Sequence, residues 1–194
     1  MRNSKVTILA ECAVMVALAF ALSCAKLFEM PLGGSVTVAS MLPVMLIGIK
    51  YGTRIGLGTG FIYSLTQVAQ AVVSGNIFPY CETGATLTVC VLFDYIVPFT
   101  VIGLAGIFKN AKFAKKQEIG AYAGILTVVL VRFLCHFVTG VVIWKQWAPD
   151  GMGPYLYSFL YNGSFLGLDL AILLAVAIVM LRKPEIRRIV GISD

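Results

Sequence analysis

The chain has 194 residues, of which 59% are hydrophobic and 12% charged, and its mean hydropathy is +0.92. A soluble domain carries about a quarter charged residues, and a core of this size cannot hide so much apolar surface, so lipid must be part of the solvent. The net charge of +6 does not point to nucleic acid, because the basic residues sit at the ends of apolar runs and not on one face with interleaved aromatics.

Six apolar runs follow in chain order, at about 6–28, 36–49, 55–73, 86–108, 120–144 and 157–181. A bilayer core needs about 20 apolar residues in a helix, and five runs meet that. The fold class expected is an all-α integral membrane protein, a single domain over 1–194 formed by a bundle of six transmembrane helices. The first run follows Arg2 and Lys5 and ends near Leu22-Ser23-Cys24-Ala25, which has a faint likeness to a cleavage or lipidation site. Glu11 interrupts its apolar region, so it reads as a first helix. Ala13, Ala17, Ala21 and Ala25 repeat every four residues along it. That spacing suits close helix approach, either inside the bundle or against a partner membrane protein.

The second run is short and carries Pro43, with Gly33 and Gly34 before it. Non-helical backbone at membrane depth is tolerated only where protein or a cavity covers it, so the first loop and second helix are expected to form a lid or cavity wall. In the third run Gly56, Gly58 and Gly60 read as close helix packing and not as a phosphate loop. No Walker A sequence is present, so any ATPase is another chain. Cys12, Cys24, Cys81, Cys90 and Cys135 form no CxxC pair and are odd in number, which argues against metal sites and disulfides.

Twelve of the fifteen basic residues lie at the N-terminus, after the second and fourth runs, and in the tail. The positive-inside rule places both termini in the cytoplasm. The opposite loops hold Phe78, Tyr80, Trp144, Trp147 and Tyr155, which suit an outer interfacial belt or an outward-facing pocket.

Ionisable groups inside spans are costly and are functional candidates by default; here they are Glu11, Asp94, Arg132, His136 and Asp169. At 1.5 Å per residue, Asp94, His136 and Asn162 fall about 8–12 Å below the outer ends of the fourth, fifth and sixth helices. Arg132, His136, Thr139 and Gly140 share one face of the fifth helix, and Ser158, Asn162 and Asp169 one face of the sixth. Arg132 is expected to pair with Asp169 or Asp94 and to support the pocket. A carboxylate among aromatics suits a flat cationic ligand; His136, Tyr157 and Asn162 would supply directional hydrogen bonds to a heteroaromatic ring.

At these residues the chain resembles the S components of energy-coupling factor (ECF) vitamin transporters, within them the thiamine-specific ThiT group. The similar stretches are Met30-Pro31-Leu32-Gly33-Gly34-Ser35-Val36-Thr37, Leu92-Phe93-Asp94-Tyr95, Arg132-Phe133-Leu134-Cys135-His136 and Tyr157-Ser158-Phe159-Leu160-Tyr161-Asn162. The resemblance implies a membrane-embedded binding protein without enzymatic activity or cofactor. It would capture thiamine outside the cell for a coupling transmembrane subunit and two ATPase subunits that use ATP. It implies further that Asp94 faces the thiazolium, that His136, Tyr157 and Asn162 contact the aminopyrimidine, and that Trp144 covers a ring. The alanine stripe matches the surface that docks on the coupling subunit. Where some members have ligand-contacting Trp and Glu residues in the first loop and before the second helix, the nearest positions here are Gly34 and Val38. Three other readings compete: an S component for another vitamin or a thiamine precursor, a small membrane assembly protein, and an intramembrane hydrolase using His136 with Ser158 or Ser164. The hydrolase lacks a GxSxG elbow.

Overall fold

The computed structural model describes residues 4–75, 81 and 83–192. Arg2, Phe78 and Tyr80 lie outside the described residues. Helices occupy all six apolar runs, and four of them are long and apolar enough to cross a membrane.

Helix α1 (Lys5–Cys24) begins where the Ser4 hydroxyl accepts the Thr7 amide at 3.1 Å. The cap satisfies a donor that the first turn leaves without a partner. Val16, Ala19 and Ser23 are buried, while Val6, Leu9, Val14 and Leu18 are exposed, as in a helix that faces lipid. The helix is held to its neighbour through Glu11, whose carboxylate accepts Lys50 at 2.6 Å and the Tyr51 hydroxyl at 2.7 Å.

After Cys24 a short hairpin interrupts the helical bundle. Strand β1 (Lys26–Glu29) pairs antiparallel with β2 (Ser35–Thr37), setting Lys26 opposite Thr37 and Glu29 opposite Ser35. The link is a single tight turn, Pro31–Gly33, in which Leu32 and Gly33 have φ of 70° and 98°. The hairpin pairs its own backbone groups, which any non-helical segment at membrane depth must do.

Helix α2 (Leu42–Tyr51) has ten residues and is therefore about 15 Å long, about half of what spans a bilayer. It is the core of the bundle: every residue from Leu42 to Ile49 is buried. Around it pack Tyr63, Ile102, Ile125, Val128 and Leu173. Helix α3 (Thr53–Val73) follows a Gly52 turn at φ 87°. A Cβ on Gly56 would run into the Gly103 carbonyl and the Gly48 backbone, so three helices meet there at backbone distance. Gly58 departs from the packing expectation, because a Cβ there would meet nothing within 4 Å.

Helix α4 (Gly84–Gly106) opens with a reciprocal Thr83–Thr86 cap. Helices α5 (Gln117–Val142) and α6 (Pro154–Leu181) are the longest, and the short turn Trp144–Trp147 lies between them. A Cβ on Gly140 would strike Ser158 Oγ, so α5 and α6 touch at the level of the polar residues. The chain returns through α7 (Pro184–Ile189) and buries Val190 and Ile192. Lys109, between α4 and α5, donates to the carbonyls of Ile49 at 3.0 Å and Val190 at 3.2 Å. Burial there lowers its pKa.

Candidate functional site

The site is built around an irregular turn. Pro98 has no N–H to offer the carbonyl of residue 94, and its ring crowds that carbonyl. Helix α4 responds by widening to i→i+5 turns over Val91–Ile96. Such widenings recur at functional sites, and this one carries Asp94 inward to a buried position.

Three neutral donors fix the Asp94 carboxylate. His136 Nδ1 lies 2.9 Å from Oδ1, the Thr139 hydroxyl donates to the same oxygen, and the Trp144 indole N–H donates to Oδ2 at 3.0 Å. Arg132 Nε donates to His136 Nε2 at 3.3 Å, so Nε2 is the acceptor of the ring. The imidazole is therefore neutral, with its proton on Nδ1 directed at Asp94. Both ring nitrogens are thus engaged, while the Ser158 hydroxyl donates to the Phe137 carbonyl and the Ser164 hydroxyl to that of Tyr161. This arrangement gives no support to a serine hydrolase.

The charge of Arg132 goes elsewhere. Its guanidinium lies 3.6 Å from Asp169 Oδ2, stacks 4.6 Å from the Phe99 ring centroid and donates to Met41 Sδ at 2.9 Å. Asp169 also accepts the Thr37 amide at 3.1 Å and the Thr37 hydroxyl at 3.3 Å. The pair ties α5, α6 and β2 together. No lysine or arginine is paired with the Asp94 carboxylate among the described residues.

A cavity lies over these groups. Asp94, Arg132, His136, Trp144, Tyr157 and Asn162 all line it. The hairpin turn supplies a wall through Leu32, Gly33, Gly34 and Ser35, as the first loop was expected to do. Tyr161 pins that wall, accepting the Gly34 amide at 3.2 Å and donating to the Pro31 carbonyl. The Asn162 amide nitrogen bonds the His136 carbonyl at 3.1 Å and the Ser158 carbonyl at 3.0 Å. Val38 is 42% exposed and does not line the cavity, whereas Gly34 does. Trp147 and Tyr155 are exposed, consistent with an interfacial belt. Ala13, Ala17, Ala21 and Ala25 are all exposed.

A family model described as thiamine transporter protein matches residues 9–188. The chain belongs to this thiamine transporter family. The thiamine transporter ThiT of Bacillus subtilis is 32% identical over 81% of each chain. ThiT of Lacticaseibacillus paracasei is 24% identical over 63% of this chain and 61% of its own. A solved structure of ThiT from Listeria monocytogenes superposes with a TM-score of 0.72 at 24% identity. It covers 95% of this chain and 98% of that one, and it shows that the fold is shared.

Sequence reasoning missed several groups that line the cavity. Tyr95 and Phe99 from α4, Tyr161 and Phe165 from α6, and Gln67 and Gln70 from α3 all face it. The two glutamines carried a usable signal: they are three residues apart on one face of an apolar helix, where polar side chains need a reason. Thr139, which shares the face of His136, proves to be a direct partner of Asp94.

Proposed function

We propose that this chain is the substrate-binding membrane subunit, or S component, of an ATP-driven energy-coupling factor transporter, and that it captures thiamine from outside for uptake. Membership of the thiamine transporter family supports the vitamin. The observation that carries the reading at the site is the Asp94 carboxylate, held by three neutral donors and paired with no lysine or arginine among the described residues. Thiamine brings a fixed positive charge on its thiazolium, which supplies the missing partner. Trp144 and Tyr157 provide aromatic cover; the Tyr157 hydroxyl and the Asn162 side-chain oxygen recognise the aminopyrimidine, and His136, with both ring nitrogens engaged, contacts it through its ring. Arg132 supports the pocket by keeping His136 neutral.

In this reading residues 1–194 form one six-helix transmembrane domain in the cell membrane, with both termini cytoplasmic and the pocket facing outward. The subunit needs no cofactor. ATP is used by two ATPase subunits, reached through a coupling transmembrane subunit that docks on Ala13, Ala17, Ala21 and Ala25. The test is direct. Protein purified without added vitamin should show saturable quenching of tryptophan fluorescence by thiamine, through Trp144, and none by neutral vitamins. Quenching by a thiamine precursor or another vitamin but not by thiamine would reassign the ligand; no quenching by any would remove the reading.

A further inference from the structure

Helices α1 and α3 run side by side and are clasped near one end. The Gln67 amide donates to Ser23 Oγ at 3.2 Å, and the Ser23 hydroxyl lies 3.4 Å from the Gln70 carbonyl oxygen. Toward their N-termini lies an apolar groove of about 440 Å³, lined by Leu9, Ala13, Val16, Gly58, Thr59 and Ile62 among others. Its floor is open at Gly58, where a Cβ would meet nothing. The Thr59 hydroxyl is already bonded to the Ile55 carbonyl at 2.8 Å, so the lining presents almost only carbon to an occupant.

One helical turn before the groove, each of the two helices carries a cation. Lys5 opens α1 and Arg54 stands in the first turn of α3. Lys5 precedes Leu9 by four residues, and Arg54 precedes Gly58 by four, so each cation shares a helix face with a residue of the groove. Both are exposed, and neither has an ion-pair partner among the described residues. From Lys5 to Val16 the helix rises about 16 Å, the hydrocarbon depth of one leaflet.

We propose that this groove holds an acyl chain of an anionic phospholipid whose phosphate sits between Lys5 and Arg54. The site is separate from vitamin capture and rests on these two cations lying at headgroup level. Hydrocarbon fills the wedge, and the two cations select the headgroup. A zwitterionic lipid fills the same groove but gains little from the charges.

Native mass spectrometry of the full chain in detergent, with added phosphatidylglycerol or phosphatidylcholine, tests this. Each interfacial cation is worth about fivefold in binding an anionic lipid. Combined Lys5→Gln and Arg54→Gln should therefore lower phosphatidylglycerol retention roughly 25-fold and leave phosphatidylcholine unchanged. Gly58→Phe, which fills the floor, should reduce retention of both; if that variant does not fold, the charge variant still decides. Thiamine quenching, measured on the same samples, should match wild type, and its absence in wild type would count against the vitamin reading alone. Equal retention of the two lipids by wild type, or retention untouched by either variant, overturns the proposal. So does the loss of a co-purifying membrane protein, in place of lipid, on Gly58→Phe, which would make the groove a helix-docking site.

Discussion

Two buried carboxylates lie on either side of the Arg132–His136 contact, and among the described residues only Asp169 is paired with an arginine. Two unit charges about 4 Å apart attract by about 4 kcal/mol gross at an effective dielectric near 20, and desolvation takes part of that back. A charge-assisted contact nets about 1.5–3 kcal/mol. Asp94→Asn should therefore weaken thiamine binding roughly 10- to 150-fold. A neutral isostere of thiamine is the control, and it should lose much less in titrations of the same variant. Equal losses for both ligands would assign Asp94 a role in pocket structure instead. Arg132 poses the complementary case. Arg132→Met strands Asp169, and leaving one member of a buried pair costs about 3–5 kcal/mol. The melting temperature of the purified protein should fall, and adding Asp169→Asn should recover part of the loss, because it removes the stranded charge. Unchanged stability and unchanged binding in Arg132→Met would show that the pair supports nothing.

At the scale of the elements, the three glycines of α3 separate what looks identical in sequence. Gly56 meets the backbones of Gly103 and Gly48, and Gly60 meets that of Thr100, whereas Gly58 opens onto the groove. Gly56→Ala forces backbones apart and should cost about 1–3 kcal/mol, as overpacking does. Gly58→Ala adds a methyl in open space and should gain up to about 1 kcal/mol from helix propensity. Thermal unfolding in detergent compares the two, and a similar loss in both would mean that the groove is closed in solution. The level and face of Asp94, His136 and Asn162 were legible because rise per residue and helical period fix both once the runs are marked. The hairpin was not, since an apolar stretch such as 36–49 reads the same in a strand and a buried short helix. What holds the hairpin is also remote in sequence: Tyr161 at the turn and Asp169 at Thr37. The widening of α4 left one local trace, Pro98, and its consequence for Asp94 depends on the turn that precedes it.

On the scale of the whole molecule, α1 stands apart from the other long helices. The rest of the bundle converges on α2, while α1 buries only Val16, Ala19 and Ser23. It is held by the Glu11 clasp to Lys50 and Tyr51 near one end and by Ser23 against Gln67 near the other. Between those ties Ala13 borders the groove against α3, and Ala17 and Ala21 are exposed with small side chains. Ala17 and Ala21 are absent from the buried core of the chain. The proposed docking of another subunit would use them, because small residues let backbones come near enough for dispersion to hold two helices together. Ala17→Trp and Ala21→Trp should therefore spare the pocket and block the approach. Thiamine should bind the purified variants with wild-type affinity in fluorescence titrations. Thiamine uptake by cells that depend on the transporter should fall at least about tenfold, the effect of losing about 1.4 kcal/mol of association. A decline of binding and uptake in parallel would show instead that this face supports the bundle itself, and the docking role would have to move to another surface.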